Sequence, residues 1–186
     1  MQRHPERHYS IDDYYAAELN SPIKHEYFDG EIFATAGASV AHNHIAANVL
    51  GSLRMAFRGT RCSAFGSDLR LTTPAGLFTY PDAMVIYGQI ELTLDHPDTV
   101  TNPVLLVEVL SEATRDYDRG EKFTLYKSIP TLRNYLLIEQ DKVLIEHHAL
   151  GSDAVWTVTR IDRRDAAIDI ASIPVTLRVA DVYDRV

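Results

Sequence analysis

The chain has 186 residues, of which 46 % are hydrophobic and 24 % charged, and Lys+Arg 18 against Asp+Glu 26 gives a formal net charge of −8. That balance excludes a disordered or fibrous chain. A lone cysteine, Cys62, excludes an intrachain disulfide framework, and the acidity argues against a simple basic nucleic-acid clamp. No apolar run approaches the roughly 20 residues of a membrane helix, and the polar start lacks a signal-peptide core. The expectation is a cytoplasmic single domain, residues 1–186, with no membrane partner.

In chain order, Ser10 to Leu19 reads as a short helix with Ser10 as N-cap, stopped by Asn20-Ser21-Pro22. His25 to Phe33 reads as two strands around an Asp29-Gly30 turn. From His42 to Arg58, Ile45, Val49, Leu53 and Phe57 recur every four residues, an amphipathic helix ended by Gly59. Strands follow at Ser67–Thr72, Tyr80–Tyr87 and Pro103–Leu110, the last a continuous apolar run interrupted only by Glu108. Asp118 and Glu121 are spaced as a capping box for a helix reaching Tyr126 and Ser128. Asn134–Glu139 is a further strand, and Val143–His148 with Ala154–Ile161 form an antiparallel pair. The weakly patterned remainder to Val186 is expected to cover a sheet edge. The order implies an α/β fold with a core at about 25–140 and a β appendage at about 141–186.

Leu71 to Thr114 contains no Lys or Arg but carries Asp82, Glu91, Asp95, Asp98, Glu108 and Glu112. The loop acids Glu91, Asp95 and Asp98 read as solvated. Asp82 and Glu108 differ, because both lie within apolar strands. If Tyr80–Tyr87 and Pro103–Leu110 pair antiparallel with Tyr87 opposite Pro103, Asp82 falls opposite Glu108. Opposed like charges destabilise a sheet. Protonation of one acid, a divalent cation between them, or exposure at the strand ends would each resolve the conflict. Lys122, in the first turn of the capped helix, sits where the macrodipole disfavours a cation and therefore calls for an anionic partner; Tyr126 shares its face.

Tyr80-Pro81-Asp82, Val107-Glu108-Val109-Leu110-Ser111 and Asp118-Arg119-Gly120-Glu121-Lys122 with Tyr126 resemble the Uma family of restriction endonucleases, in the PD-(D/E)XK superfamily. The resemblance runs from about Tyr27 to Glu139. It implies the restriction-endonuclease-like fold, a mixed sheet flanked by helices in the order αβββαβ, with extra C-terminal strands. It also implies Mg²⁺- or Mn²⁺-dependent hydrolysis of nucleic acid, with duplex DNA as partner and a homodimer as the assembly. In that scheme Asp82 and Glu108 are catalytic and hold the metal with the Val109 backbone carbonyl. Leu110 stands where the superfamily's usual lysine would be, so the resemblance moves that amine to Lys122.

Glu31 and Asp68 are auxiliary candidates beside Tyr126. Arg54, Arg58 and Arg61, at i, i+4 and i+7, are candidates for phosphate contact or a solvated helix edge. His42 and His44 point apart on a helix, His147 and His148 on a strand, and His4 and His8 flank a proline; all six are expected to be structural, and Cys62 has no recognisable helper. The rival functions are a non-catalytic nucleic-acid-binding module and a small-nucleotide phosphodiesterase.

Overall fold

The computed structural model describes residues 8–35 and 37–186, so His4 lies outside the described residues. Ser10 and Asp13 exchange side-chain and backbone hydrogen bonds in a capping box over α1 (Ile11–Asn20). β1 (His25–Phe28) and β2 (Glu31–Ala34) close around Asp29-Gly30, both at positive φ (49° and 79°). That backbone matches the twist of a tight hairpin. α2 (Val40–Ala56) starts two residues earlier than expected because the Ser39 hydroxyl caps the His42 amide. Its Ile45, Val49 and Leu53 are fully buried.

The strand expected at Ser67–Thr72 shortens to its last three residues. β3 (Cys62–Gly66) precedes it, Ser67 and Asp68 form a turn, and β4 (Arg70–Thr72) follows. β3 carries no apolar alternation strong enough to read in advance. The strand expected at Tyr80–Tyr87 shortens to β6 (Ala83–Tyr87), and β5 (Phe78–Thr79), before Pro81, belongs to another sheet. Proline has no N–H for a ladder, so the break falls where the chemistry requires it. β7 (Thr99–Val100) leads into β8 (Pro103–Leu110), whose eight residues are all buried.

After β8 comes one helical segment: α3 (Arg115–Tyr117), a π turn (Asp118–Lys122) and α4 (Phe123–Tyr126). Asp118 is therefore not an N-cap. It lies inside the helix at φ −63°, and the helix starts three residues before it. Lys122 correspondingly sits mid-segment rather than in a first turn. β9 (Asn134–Glu139), β10 (Ile145–Leu150), β11 (Trp156–Ile161), β12 (Ala167–Ile170), β13 (Val175–Arg178) and α5 (Val179–Val182) complete the chain.

Six strands form the main sheet in the order β11-β10-β9-β8-β6-β3, with β8 and β9 parallel across the helical crossover. Read in chain order, α2, β3, β6, β8, the helical segment and β9 give the expected αβββαβ core. A second sheet, β2-β1-β5-β4-β7, lies between α1 and the main core elements. The C-terminal hairpin and α5 do not cover an edge. Ile168, Ile170, Leu177, Val179 and Val182 join Ile45, Val49 and Leu53 in the core on one face of the main sheet. Burial of apolar area dictates this, since a face offers far more of it than an edge. Among the described residues no helix is long and apolar enough to cross a membrane.

Candidate active site

The pleat of β8 decides which acids meet. Leu105, Val107 and Val109 enter the core beneath α2, whereas Leu106, Glu108 and Leu110 face the helical segment. β6 runs antiparallel beside β8 with Ala83 opposite Val107 and Met84 opposite Leu106. Carried one residue past β6, this register sets Asp82 beside Glu108, as anticipated. The expected anchor was one residue off: a bulge between Val85 and Ile86 pairs Ile86, not Tyr87, with Pro103. The irregularity lies at the far end of the strand and leaves the site register intact.

Glu108 is 5 % exposed. Its Oε1 accepts from the Tyr126 hydroxyl (2.6 Å) and lies 3.0 Å from Lys122 Nζ. The ammonium, also 5 % exposed, donates to Glu26 Oε1 at 3.0 Å and lies 3.6 Å from Asp118 Oδ1. The π turn presents Asp118 and Lys122 inward together, and the Tyr135 hydroxyl donates to the Asp118 carbonyl (3.1 Å). Asp82 is held from both sides. Oδ2 accepts from the Val109 amide (2.7 Å), and Oδ1 lies 2.9 Å from His42 Nε2. The same register sets Val109 beside Pro81, which has no N–H to offer its carbonyl.

The electrostatics are unbalanced toward the anion. Burial raises the Glu108 carboxyl, Lys122 opposes this, and the Asp118 and Asp82 charges reinforce it, leaving the group at about 8. Asp118 is raised for the same leading reason. Burial disfavours the Lys122 ammonium, yet Glu108, Glu26, Tyr126 and Asp118 outweigh it and hold the amine well above its ordinary range. Burial and the Glu108 charge push the Tyr126 phenol far up, so it remains a donor. For His42, burial lowers the imidazole, but the Asp82 hydrogen bond and charge prevail and raise it.

Among the described residues no three His, Cys, Asp or Glu side chains are grouped to hold a metal ion by themselves. Four carboxylates, Glu26, Asp82, Glu108 and Asp118, nevertheless face one ammonium and one imidazole. Carboxylate and carbonyl oxygens are the donor type that Mg²⁺ or Mn²⁺ takes, with water and phosphate completing the shell. Asp82, Glu108 and the Val109 carbonyl are the groups that would hold it.

Other candidates fall elsewhere. Glu31 pairs with Phe28 beside the hairpin turn, and the hairpin carboxylate that reaches Lys122 is Glu26, paired with Phe33. Asp68 is exposed on its turn and pairs with Lys24 (2.9 Å) rather than joining the cluster. Arg54 and Arg58 are exposed at the end of α2, about 18 Å along the axis from His42. Arg61 lies over the Tyr87 ring at 5.0 Å. His147 bonds Asn134 (2.8 Å) and His148 packs on Phe123, on opposite faces of β10. Cys62 is buried, which raises its thiol.

Sequence reasoning missed Glu26, Asp118 and the Asp82 contact of His42. The first depends on how the second sheet lies against the helical segment. Asp118 was legible as an unusual acid before Lys122 but was read as a cap. For His42, the signal was its place in the first turn of a helix, which the pairing with His44 obscured.

A family model, Uma2, described as "Putative restriction endonuclease", matches residues 11–180. The chain is 34 % identical over 160 residues to the uncharacterised protein sll1609 of Synechocystis sp., covering 86 % of this chain and 90 % of that one. It is 32 % identical over 180 residues to slr1290 of the same organism, covering 94 % and 90 %. A solved structure described as a putative nuclease belonging to DUF820, from Anabaena variabilis, superposes with a TM-score of 0.72 at 18 % identity, covering 90 % of this chain and 95 % of that one. With the fold so matched and nearly the whole chain covered by the family model, this protein belongs to the Uma2 family.

Proposed function

We propose that the protein is a metal-dependent nuclease that hydrolyses phosphodiester bonds in duplex DNA, acting as a homodimer so that two sites address two strands. The observation that carries this reading is the Lys122 ammonium 3.0 Å from Glu108, on the strand whose Val109 amide holds Asp82. The family description and the nuclease-like fold support it. Asp82 and Glu108 would hold Mg²⁺ or Mn²⁺ with the Val109 carbonyl. Bound there, the cation would acidify a water ligand and offset phosphate charge.

The protein's own groups divide the remaining work. Lys122 keeps its proton, so it acts as a fixed charge and N–H donor toward a phosphate oxygen or the attacking water, not as a base. Tyr126 and Lys122 together fix the Glu108 carboxylate through Oε1. His42 and the Val109 amide fix Asp82. Glu26, tied to Thr79 on the neighbouring strand, holds Lys122 from the second sheet.

The test is nicking of supercoiled plasmid with Mg²⁺ or Mn²⁺. Nicking by the wild type that disappears in Asp82→Ala and Glu108→Ala is expected; equal nicking by all three proteins overturns the reading. A second reading, a binding module without turnover, is favoured by the net charge of −8 and by the protein partners already on both Asp82 oxygens. It predicts DNA retention that neither variant changes, with no nicking.

A further inference from the structure

Charge is unevenly distributed over this acidic chain. Among the described residues, Arg54, Arg58, Arg61, Arg133 and Arg164 have no carboxylate partner, Arg164 giving a terminal nitrogen to the Tyr183 carbonyl instead, whereas Arg70, Arg115, Arg119, Arg160, Arg163, Arg178 and Arg185 all do. Arg54 suits the negative end of the α2 dipole. Arg58 follows α2 directly and is exposed, whereas Arg61 and Arg133 lie outside any helix and are brought together by the sheet.

Both border the same groove. Two adjoining clefts of about 360 and 460 Å³ share Tyr87 and Ser172; Arg133, Asn102 and Thr131 line one and Arg61 the other. Both are shallow surface depressions, open along one side. Tyr87, the last residue of β6, is 51 % exposed, and the Arg61 guanidinium lies over its ring at 5.0 Å. Arg133 gives one terminal nitrogen to the Pro130 and Leu132 carbonyls, which anchors an exposed guanidinium with donors to spare. The groove lies at the other end of β6 from Asp82, about 17 Å along the strand.

An exposed tyrosine between two unpaired guanidiniums matches the general scheme for an unpaired nucleotide, in which a base stacks on an aromatic face and phosphates meet cations. A duplex would keep its bases away from the ring. We propose that this groove binds a single-stranded stretch of nucleic acid, with a base on Tyr87 and the flanking phosphates on Arg61 and Arg133. The proposal rests on the nuclease reading of the carboxylate cluster, and gives that site a preference for substrates with an unpaired segment beside the duplex.

The test is fluorescence anisotropy of a labelled oligothymidylate with the full chain in EDTA, where no turnover occurs. Tyr87→Ala is expected to weaken binding about tenfold while Tyr87→Phe leaves it unchanged. Arg61→Ala and Arg133→Ala should each flatten the slope of log K against log salt by about 0.7. Circular dichroism melts of these four variants and of the Arg61→Ala/Arg133→Ala double variant matching the wild type exclude misfolding as the cause. Wild-type affinity in Tyr87→Ala and in the double arginine variant overturns the proposal, as does tighter binding of the corresponding blunt duplex. Groove-dependent binding by a protein that never nicks plasmid sustains the groove and removes the nuclease reading. Nicking with groove-independent binding does the reverse.

Discussion

Two charge clusters built around buried carboxylates flank the same helical segment, and they are built differently. On one side Glu139 and Glu146, 3 % and 5 % exposed, meet Arg115, Arg119 and Arg160 at 2.8–3.2 Å, so each carboxylate has two guanidinium neighbours. On the other side Lys122 alone serves Glu26, Glu108 and Asp118, with Asp82 close enough to raise Glu108 further. A balanced network is what a fold needs to place charges inside at tolerable cost. An under-compensated one costs stability, and such sites are where chemistry with cations or anions is carried out. The contrast separates a compensated structural network from the cluster proposed above as the reaction centre.

The largest expected effect is in Lys122→Met. Removing the ammonium takes the cation from two buried acids, Glu108 and Asp118, and from the half-buried Glu26, and urea unfolding at pH 8 should show a loss of about 3 kcal/mol or more. Arg119→Met should cost less, about 1–2 kcal/mol, because Arg115 and Arg160 remain on Glu139 and Glu146. Equal losses in the two variants would erase the distinction between the clusters.

The pH dependence sharpens the comparison. The folded state holds the Glu108 proton more tightly than the unfolded chain does. That contribution is complete below about 4.5 and is lost as pH rises through about 8. Unfolding midpoints should therefore fall across this interval in the wild type and stay flatter in Glu108→Gln. Added Mg²⁺ should reduce the fall, since it favours the ionised carboxylate; a melt unaffected by Mg²⁺ at pH 8 would count against the metal reading.

Tyr126→Phe removes one hydrogen bond to Glu108 and should cost about 1–1.5 kcal/mol by the same urea measurement. The smallest effect belongs to Asp68→Ala, an exposed pair with Lys24, which should leave both the unfolding midpoint and plasmid nicking unchanged.

Much of this arrangement was written in local sequence. The near-continuous apolar run Pro103–Leu110, broken only by Glu108, read as a strand covered on both faces, the Asp29-Gly30 turn specified its hairpin, and the four-residue spacing from Ile45 to Phe57 specified α2. Because side chains alternate along a strand and opposed positions in an antiparallel pair are fixed by register, the meeting of Asp82 with Glu108 was also legible, as was the shared face of Lys122 and Tyr126. The π turn was not. One residue's change in helical pitch converts Asp118 from a cap into a buried partner of Lys122, and no side-chain pattern announces it.

Glu26, His42 and the Tyr87 groove belong to the remainder. Glu26 rather than Glu31 reaches Lys122 because the second sheet docks at one particular offset; His42 meets Asp82 because the start of α2 lies beside the start of β6; and Arg61 and Arg133, 72 positions apart in the chain, border one groove only after β3, β6, β8 and β9 are laid side by side. Periodicity and turn chemistry act over a few residues and so can be read along the chain. The offset of one packed layer against another is set by the sum of many small apolar contacts, and only the assembled molecule performs that sum.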